Sequence, residues 1–312
     1  MVKPYNTFSN VLKLEFGCKV QRISIDAGFT CPNRDGSLDT AGCIFCGGHG
    51  SGSYDILRDL DIASQLEDGK EVMRRKYRAS KFIAYFQSYS NTYASVEQLR
   101  LLYAEALSVP DVVGLIVATR PDCLPDDILD YLQELSSQTY LWLELGMQTM
   151  FDRSLKLINR RHGHDCTVEA IQRARSRRLR VCAHIILGLP GESREEMLAM
   201  AGELNRLSVE GVKLHLMHVM KGTILDEMYG RGEVKVLCRD EYVGLVCDFL
   251  ELLDPRILIH RLTGDGGHDN LVAPLWSLKK FEVLNLIDAE MERRGTRQGT
   301  HFLHFNPCNN PL

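Results

Sequence analysis

The sequence predicts an α/β protein built on a parallel sheet, and three observations carry that expectation. Between residues 20 and 220, strand-like segments alternate with amphipathic helical ones, as return to a parallel neighbour requires. Several of these strands are apolar at consecutive positions, the mark of a sheet covered on both faces. Their carboxyl ends read "DAG", "QSYSNTY", "TRPDC", "ELGMQT" and "GLPGE". Polar and glycine-rich residues thus repeat at the edge where ligands gather in open doubly wound sheets and in α/β barrels. The pattern leaves both architectures open, the barrel in full or partial form.

The strands are expected at 20–28, 81–88, 112–120, 140–149, 181–190 and 211–220. Ser95 followed by Gln98, and Ser193 followed by Glu196, have the spacing of capping boxes. Pro125 with Asp126 and Asp127 marks a third helix start, because proline fits the first turn and acids suit its positive end. Beyond residue 221 the alternation weakens. A helix near 239–252, a strand at 257–264 and a helix near 277–294 form an appended C-terminal region, and "HFNPCNNPL" reads as an irregular tail.

With 312 residues, 45% of them hydrophobic, the chain can bury about three-quarters of the surface its unfolded form exposes. A net charge of −4 argues against a surface given over entirely to nucleic acid, while allowing a local basic patch. The N-terminus lacks the features of a signal peptide, and no run of about 18 apolar residues suggests a membrane span. Ten cysteines without an export signal point to the reducing cytoplasm rather than to a disulfide framework. Cys182 and Cys247, in apolar surroundings, read as core residues.

Cys31, Cys43 and Cys46 form a C-x11-C-x2-C loop in "CPNRDGSLDTAGCIFC". Such clustered thiolates suit zinc or an iron–sulfur cluster. Structural zinc wants four protein ligands, and His49, at CxxH spacing from Cys46, would complete a Cys3His site. A four-iron cluster held by three thiolates keeps one iron open. Two details favour the cluster. The loop leaves the first strand at the edge where the other polar loops gather, and Phe45 stands where an aromatic could shield a cluster or simply anchor the loop.

The loop resembles that of radical SAM enzymes, in which three cysteines hold a [4Fe–4S] cluster and S-adenosylmethionine chelates the fourth iron. The widespread spacing there is Cx3Cx2C, so this chain keeps the CxxC end and stretches the first gap. The segments "DAGFTCPNRDGSLDTAGCIFCG", "YFQSYSNTYAS", "TRPDCL", "LELGMQT", "LGLPGE" and "RLTGDGGHDNLVAPLWSLKK" together look like the YhcC-type radical SAM family. That family is similar in its core to the elongator catalytic subunit, which acts on tRNA wobble uridines. The resemblance implies a partial (βα)6 barrel over 20–222, after an N-terminal segment 1–19 and before a C-terminal α+β extension, 223–312.

Carried over position by position, the resemblance makes Cys31, Cys43 and Cys46 the cluster ligands. In place of a literal GGE segment, "QSYSNT" nominates Gln87, Ser88 and Asn91 for S-adenosylmethionine. Glu144 and Gln148 match the place that contacts its ribose or methionine end, and Ile186 and Gly188 the strand that lies near adenine. Glu144 could equally be a barrel-interior carboxylate paired with an arginine such as Arg120. The implied partners are S-adenosylmethionine, an electron donor such as flavodoxin or ferredoxin, and RNA as a candidate substrate, with no membrane. The implied chemistry is reductive cleavage to a 5′-deoxyadenosyl radical, with no residue nominated to act on the substrate.

Three further motifs have two readings each. "RARSRRLR" (173–180) is a solvated helix face or a phosphate-contacting patch. "NRRHGH" (159–164) is a plain connection or a site for carboxylate or phosphate recognition. In "HRLTGDGGHDNLVAP" (260–274), Asp265 and His268 are candidate substrate contacts or parts of a surface turn. The competing reading of the whole chain is a noncatalytic, zinc-stapled barrel that binds partners through its basic helix.

Overall fold

The computed structural model describes residues 3–47, 60–264, 267 and 269–302. His49, Asp265, His268 and Cys308 lie outside the described residues.

Strands β1 (Val20–Ile25), β2 (Lys81–Phe86), β3 (Val112–Thr119), β4 (Tyr140–Gln148), β5 (Val181–Leu187) and β6 (Gly211–Leu216) pair in sequence order, every neighbour parallel. The last expected strand is broken. Val219–Met220 forms β7, which pairs antiparallel with β9 (Leu271–Ala273) in a separate two-stranded sheet. β8 (Leu258–Arg261), expected in the appended region, instead adds parallel to β6, with Gly211 opposite Leu258. The main sheet therefore has seven strands rather than six. It is the curled half-barrel of the expected α/β class.

Strand alternation sorts the core into two parts. Phe82, Ala84 and Phe86 of β2, with Leu115 and Val117 of β3, point outward into the layer covered by helices. Those helices are α2 (Ile62–Tyr77), α3 (Val96–Ser108), α4 (Asp126–Ser136), α6 (His164–Ser176) and α7 (Arg194–Leu207), while the short α5 (Asp152–Leu157) packs Leu155 into a separate cluster with Ile44 and Ile186. The intervening Ile83 and Tyr85, with Ile116, Trp142 and Cys182, point inward and meet Phe8 and Leu12. These last two belong to α1 (Phe8–Phe16), capped by the Thr7 side chain and ended by Gly17 at φ 66°. Phe8 stacks on His260 of β8 at 3.9 Å and meets Trp142 edge-on. Burying two such side chains stabilises the fold by about 1.5–3 kcal/mol each, and α1 fills the gap between edge strands β1 and β8.

Local start signals behave as their chemistry predicts. Ser95 accepts a hydrogen bond from the Gln98 N–H, and Ser193 and Glu196 make a complete capping box. Pro125 caps α4. After α8 (Ile224–Gly230), α9 (Arg239–Leu252) and α10 (Lys280–Arg294) join the same outer core through residues such as Phe249 and Ile287. Cys182 and Cys247 are fully buried. Among the described residues, no helix is long and apolar enough to cross a membrane.

Candidate functional site

Because every strand of the main sheet runs the same way, all the carboxyl ends share one edge. The cysteine loop folds over it after β1. Its CxxC end is a tight turn in which the Cys46 N–H donates to the Cys43 carbonyl at 2.9 Å. The eleven residues before Cys43 make a folded lobe, which explains the stretched spacing. Arg34 and Asp35 N–H groups both donate to the Cys31 carbonyl, and the Gly42 N–H donates to the Asn33 carbonyl. Gly42 sits at φ 75°, with the Arg34 guanidinium 2.9 Å from where a Cβ would stand, so only glycine fits easily.

The segment flagged as "NRRHGH" holds this lobe down. Asn33 Nδ2 donates to the Asn159 carbonyl at 2.6 Å, and Asn159 Nδ2 donates in return to the Gly42 carbonyl at 2.8 Å. Arg161 pairs with Asp39, whose carboxyl is held far below its usual range by N–H groups of its own turn together with Asn159 and Arg161. Asn159 and Arg161 of this motif thus fasten the lobe to the chain after β4.

The three cysteines open on one cavity of about 1240 Å³, solvent at its mouth included. Gln87, Glu144, Gln148 and Ile186 also line it. Ser88, Asn91 and Gly188 do not. Ser88 is turned into the protein and Asn91 is tied to the Ala118 carbonyl of β3, leaving Tyr89 and Ser90 to reach the cavity from that loop. Gly188 donates its N–H to the Met197 sulfur and faces Leu237.

Arg160 is buried beside the loop. Its Nη1 donates to Cys43 Sγ at 3.6 Å and its Nη2 to the Gly146 carbonyl at 2.8 Å. Arg120 grips Asp122 through two bonds of 2.8 and 2.6 Å and donates to the Arg160 carbonyl. It is therefore not the partner of Glu144. Burial, with Cys43 and Cys31 adjacent, pushes the Cys46 thiol up to about 12 despite Arg34 nearby. Burial, helped by Arg160, pulls His162 down to about 4, so this ring is neutral.

The partner of Glu144 comes from across the barrel. Lys213 Nζ of β6 donates to Glu144 Oε1 at 2.7 Å and to the Tyr85 hydroxyl at 2.5 Å, and Tyr85 donates to Glu144 at 2.7 Å. All three side chains are buried, and they stand on alternate strands β2, β4 and β6. Burial lowers Lys213 to about 8 even against the attraction of Glu144. For Glu144, burial acts upward, but the Lys213 charge and the two hydrogen bonds together bring it below its usual value. His184 and His215 line the cavity beside this triad and are held well below their normal range, mainly by burial.

The donor set suits an iron–sulfur cluster and S-adenosylmethionine. Three thiols share one wall with a buried guanidinium to offset thiolate charge. Glu144 Oε2 and Gln148 Oε1 are buried acceptors without a partner among the described residues.

Sequence reasoning nominated neither Arg160, Lys213, His184 nor His215 individually. A signal existed for three of them: a lysine and two histidines interrupt the otherwise apolar strands "VCAHIIL" and "GVKLHL" at inward positions.

Comparison with known proteins agrees with this geometry. Residues 31–204 match the profile of the radical SAM superfamily, and residues 209–293 match that of the radical SAM C-terminal domain. The chain is 47% identical over 300 residues to the uncharacterized protein YtqA of Bacillus subtilis, covering 96% of this chain and 93% of that one. It is 36% identical over 296 residues to YhcC of Escherichia coli K12, covering 95% and 94%. A tRNA uridine(34) acetyltransferase of Methanocaldococcus infernus is 28% identical over 188 residues, which is 59% of this chain and 34% of that enzyme. The Elp3 structure from the same organism superposes with a TM-score of 0.70 at 20% identity, covering 89% of this chain and 64% of that one. That likeness is one of fold. The profile spans more than half of the chain and the YtqA and YhcC similarity runs along nearly all of it; this protein is an enzyme of the radical SAM superfamily, whose cofactors are a [4Fe–4S] cluster and S-adenosylmethionine.

Proposed function

We propose that Cys31, Cys43 and Cys46 hold the cluster, that the cavity behind them takes S-adenosylmethionine, and that the substrate is a base in RNA. The observation that carries this reading is the convergence on one cavity of three thiols and two buried acceptors that have no partner among the described residues. When bound, the cluster and S-adenosylmethionine supply reductive cleavage of the sulfonium and a 5′-deoxyadenosyl radical.

The chain's own residues bind and orient. Arg160 offsets charge at Cys43 and fixes its side chain. Glu144 Oε2 and Gln148 Oε1 accept from hydroxyl or ammonium groups of S-adenosylmethionine, and Gln87 lies on the same wall. Phe45 and Ile186 provide apolar surface for adenine. Met217, before β7, and Met220, within it, also line the cavity and restrict water.

Two features support an RNA base. The inner wall carries neutral imidazoles and the internally paired Lys213 and Glu144, which suit an uncharged ring with several hydrogen-bonding atoms. The partial similarity to a tRNA uridine(34) acetyltransferase points the same way. A one-electron donor such as flavodoxin or ferredoxin completes the reaction, and nine described cysteines without a disulfide suit the reducing cytoplasm.

The test is incubation of cluster-loaded enzyme with S-adenosylmethionine, dithionite and unmodified tRNA, followed by nucleoside mass spectrometry and deoxyadenosine measurement. A new nucleoside accompanied by deoxyadenosine is expected. Absence of deoxyadenosine would overturn the cofactor reading, and deoxyadenosine without any change in RNA would overturn the substrate.

A further inference from the structure

The five arginines of 173–180 separate into two groups once folded. Arg173 and Arg177 pair with Asp126, Arg177 also with Asp130, and Arg175 pairs with Glu210. Those three serve the helix surface. Arg178 and Arg180 have no carboxylate partner among the described residues, and both lie at the amino edge of the main sheet, just before β5.

Other connections bring cations to the same edge. Lys19 precedes β1, Lys81 begins β2, and Lys76 and Arg78 end α2. None of them has a carboxylate partner among the described residues. Four of these six cations rest on aromatic rings instead. Lys19 and Lys76 approach the Tyr77 ring at 5.9 and 5.3 Å, Lys81 approaches Phe16 at 5.4 Å, and Arg180 approaches Tyr140 at 4.6 Å. Phe16 and Tyr140 meet edge-on at 5.3 Å, while the Ser80 N–H bonded to the Lys19 carbonyl joins the Tyr77 group to the rest. The acids at this edge include Asp111, Glu210 and Asp254, each already paired with an arginine, and Glu15 beside Tyr140.

Complementing the helix dipole accounts for cations in the last turn of α2. It does not account for Lys19, Lys81 and Arg180, which belong to the three separate connections that enter β1, β2 and β5. A contiguous face of unpaired cations interleaved with π surfaces, on a chain of net charge −4, is the chemistry that holds a nucleic-acid backbone.

We infer that the amino edge of the barrel, through Lys19, Lys76, Arg78, Lys81, Arg178 and Arg180, is a docking face for the phosphate backbone of RNA. It rests on the RNA reading above and extends it to a surface remote from the reacting base. Along β4, Tyr140 at this edge lies about 13 Å from Glu144, the cavity-lining residue of that strand nearest to it, at about 3.3 Å per residue. A folded RNA would be gripped here while another part of it enters the site.

The experiment measures binding of cluster-loaded protein to fluorescent tRNA and to a single-stranded RNA oligomer across a salt series. Wild type is compared with Lys19→Glu/Lys76→Glu/Arg180→Glu and with the charge-preserving Lys19→Arg/Lys76→Arg/Arg180→Lys. The reversal variant should bind about tenfold or more weakly, with a log–log salt slope shallower by about 2, and the preserving variant should bind like wild type. Substrate-free deoxyadenosine formation should be equal in all three, which separates this face from the cavity. Equal RNA affinity and slope in the reversal variant, or binding to phosphatidylglycerol vesicles without binding to RNA, would overturn the proposal. Loss of binding in the reversal variant, with wild-type enzyme that leaves bound RNA unmodified, would uphold this face and overturn the substrate reading alone.

Discussion

The two edges of one parallel sheet treat positive charge in opposite ways. At the carboxyl edge, Arg120, Arg160 and Lys213 are buried, and each is tied to acceptors: Asp122, the Gly146 carbonyl with Cys43, and Glu144 with Tyr85. At the amino edge, Lys19, Lys76 and Arg180 are exposed and lie over aromatic rings without a carboxylate. A cation taken out of water must be satisfied by the fold itself, so the first set builds the site. A cation left in water needs no internal partner and remains open to an external anion.

That contrast orders the expected effects. Replacing Cys31, Cys43 and Cys46 together by alanine should abolish cluster loading and deoxyadenosine formation, measured by iron content and by chromatography; retention of either would contradict the assignment. Next in size is the buried triad. Lys213→Ala leaves Glu144 without its counter-charge and should cost about 3–5 kcal/mol in urea unfolding, whereas Lys213→Met with Glu144→Leu should recover most of that loss. A single variant as stable as wild type would show that water reaches the triad.

Lys213 also predicts a pH dependence. Its folded value of about 8 lies below the unfolded value of about 10.4. Between the two, the unfolded chain holds more protons, so this group makes stability rise with pH across that window and carries its full penalty below it. Unfolding midpoints taken between about pH 7.5 and pH 10.5 should show the rise in wild type and lose that component in Lys213→Ala.

Arg160 touches a thiol without replacing one. Arg160→Met should weaken retention of iron against a chelator by about 10–100-fold while leaving the three cysteines in place. Smallest of all is the paired surface set. Arg177→Ala removes exposed ion pairs to Asp126 and Asp130 and should cost about 0.2–1 kcal/mol. Its RNA affinity should fall far less than that of the amino-edge reversal; an equal fall would erase the distinction between paired and unpaired cations.

Much of the fold was legible because alternation and capping are local. The six principal strands, the helix starts at Ser95, Pro125 and Ser193, and the thiol loop all declare themselves within a few residues. β8 was harder to place, since four residues carry no record of which strand they will join, and pairing with β6 is decided by α9 returning the chain to the sheet edge. Within the site, Gln87 and Gln148 at strand ends, and Glu144 and Ile186 within their strands, were nominated by the family resemblance and line the cavity. Ser88, Asn91 and Gly188 shared those positions but point elsewhere, because direction at a strand end depends on local φ, as at Tyr89 with φ 63°. The Tyr85–Glu144–Lys213 triad was invisible because its members meet only when three alternate strands curl together.

The central claim is that three thiols at one barrel edge hold a redox-active cluster. It is tested most directly by anaerobic purification, quantification of iron, sulfide and zinc, and a dithionite-driven assay for 5′-deoxyadenosine. About four irons and four sulfides per chain, as a [4Fe–4S] cluster requires, together with deoxyadenosine is the predicted result. One zinc per chain, with neither iron nor deoxyadenosine, would make the loop a structural staple and contradict the account.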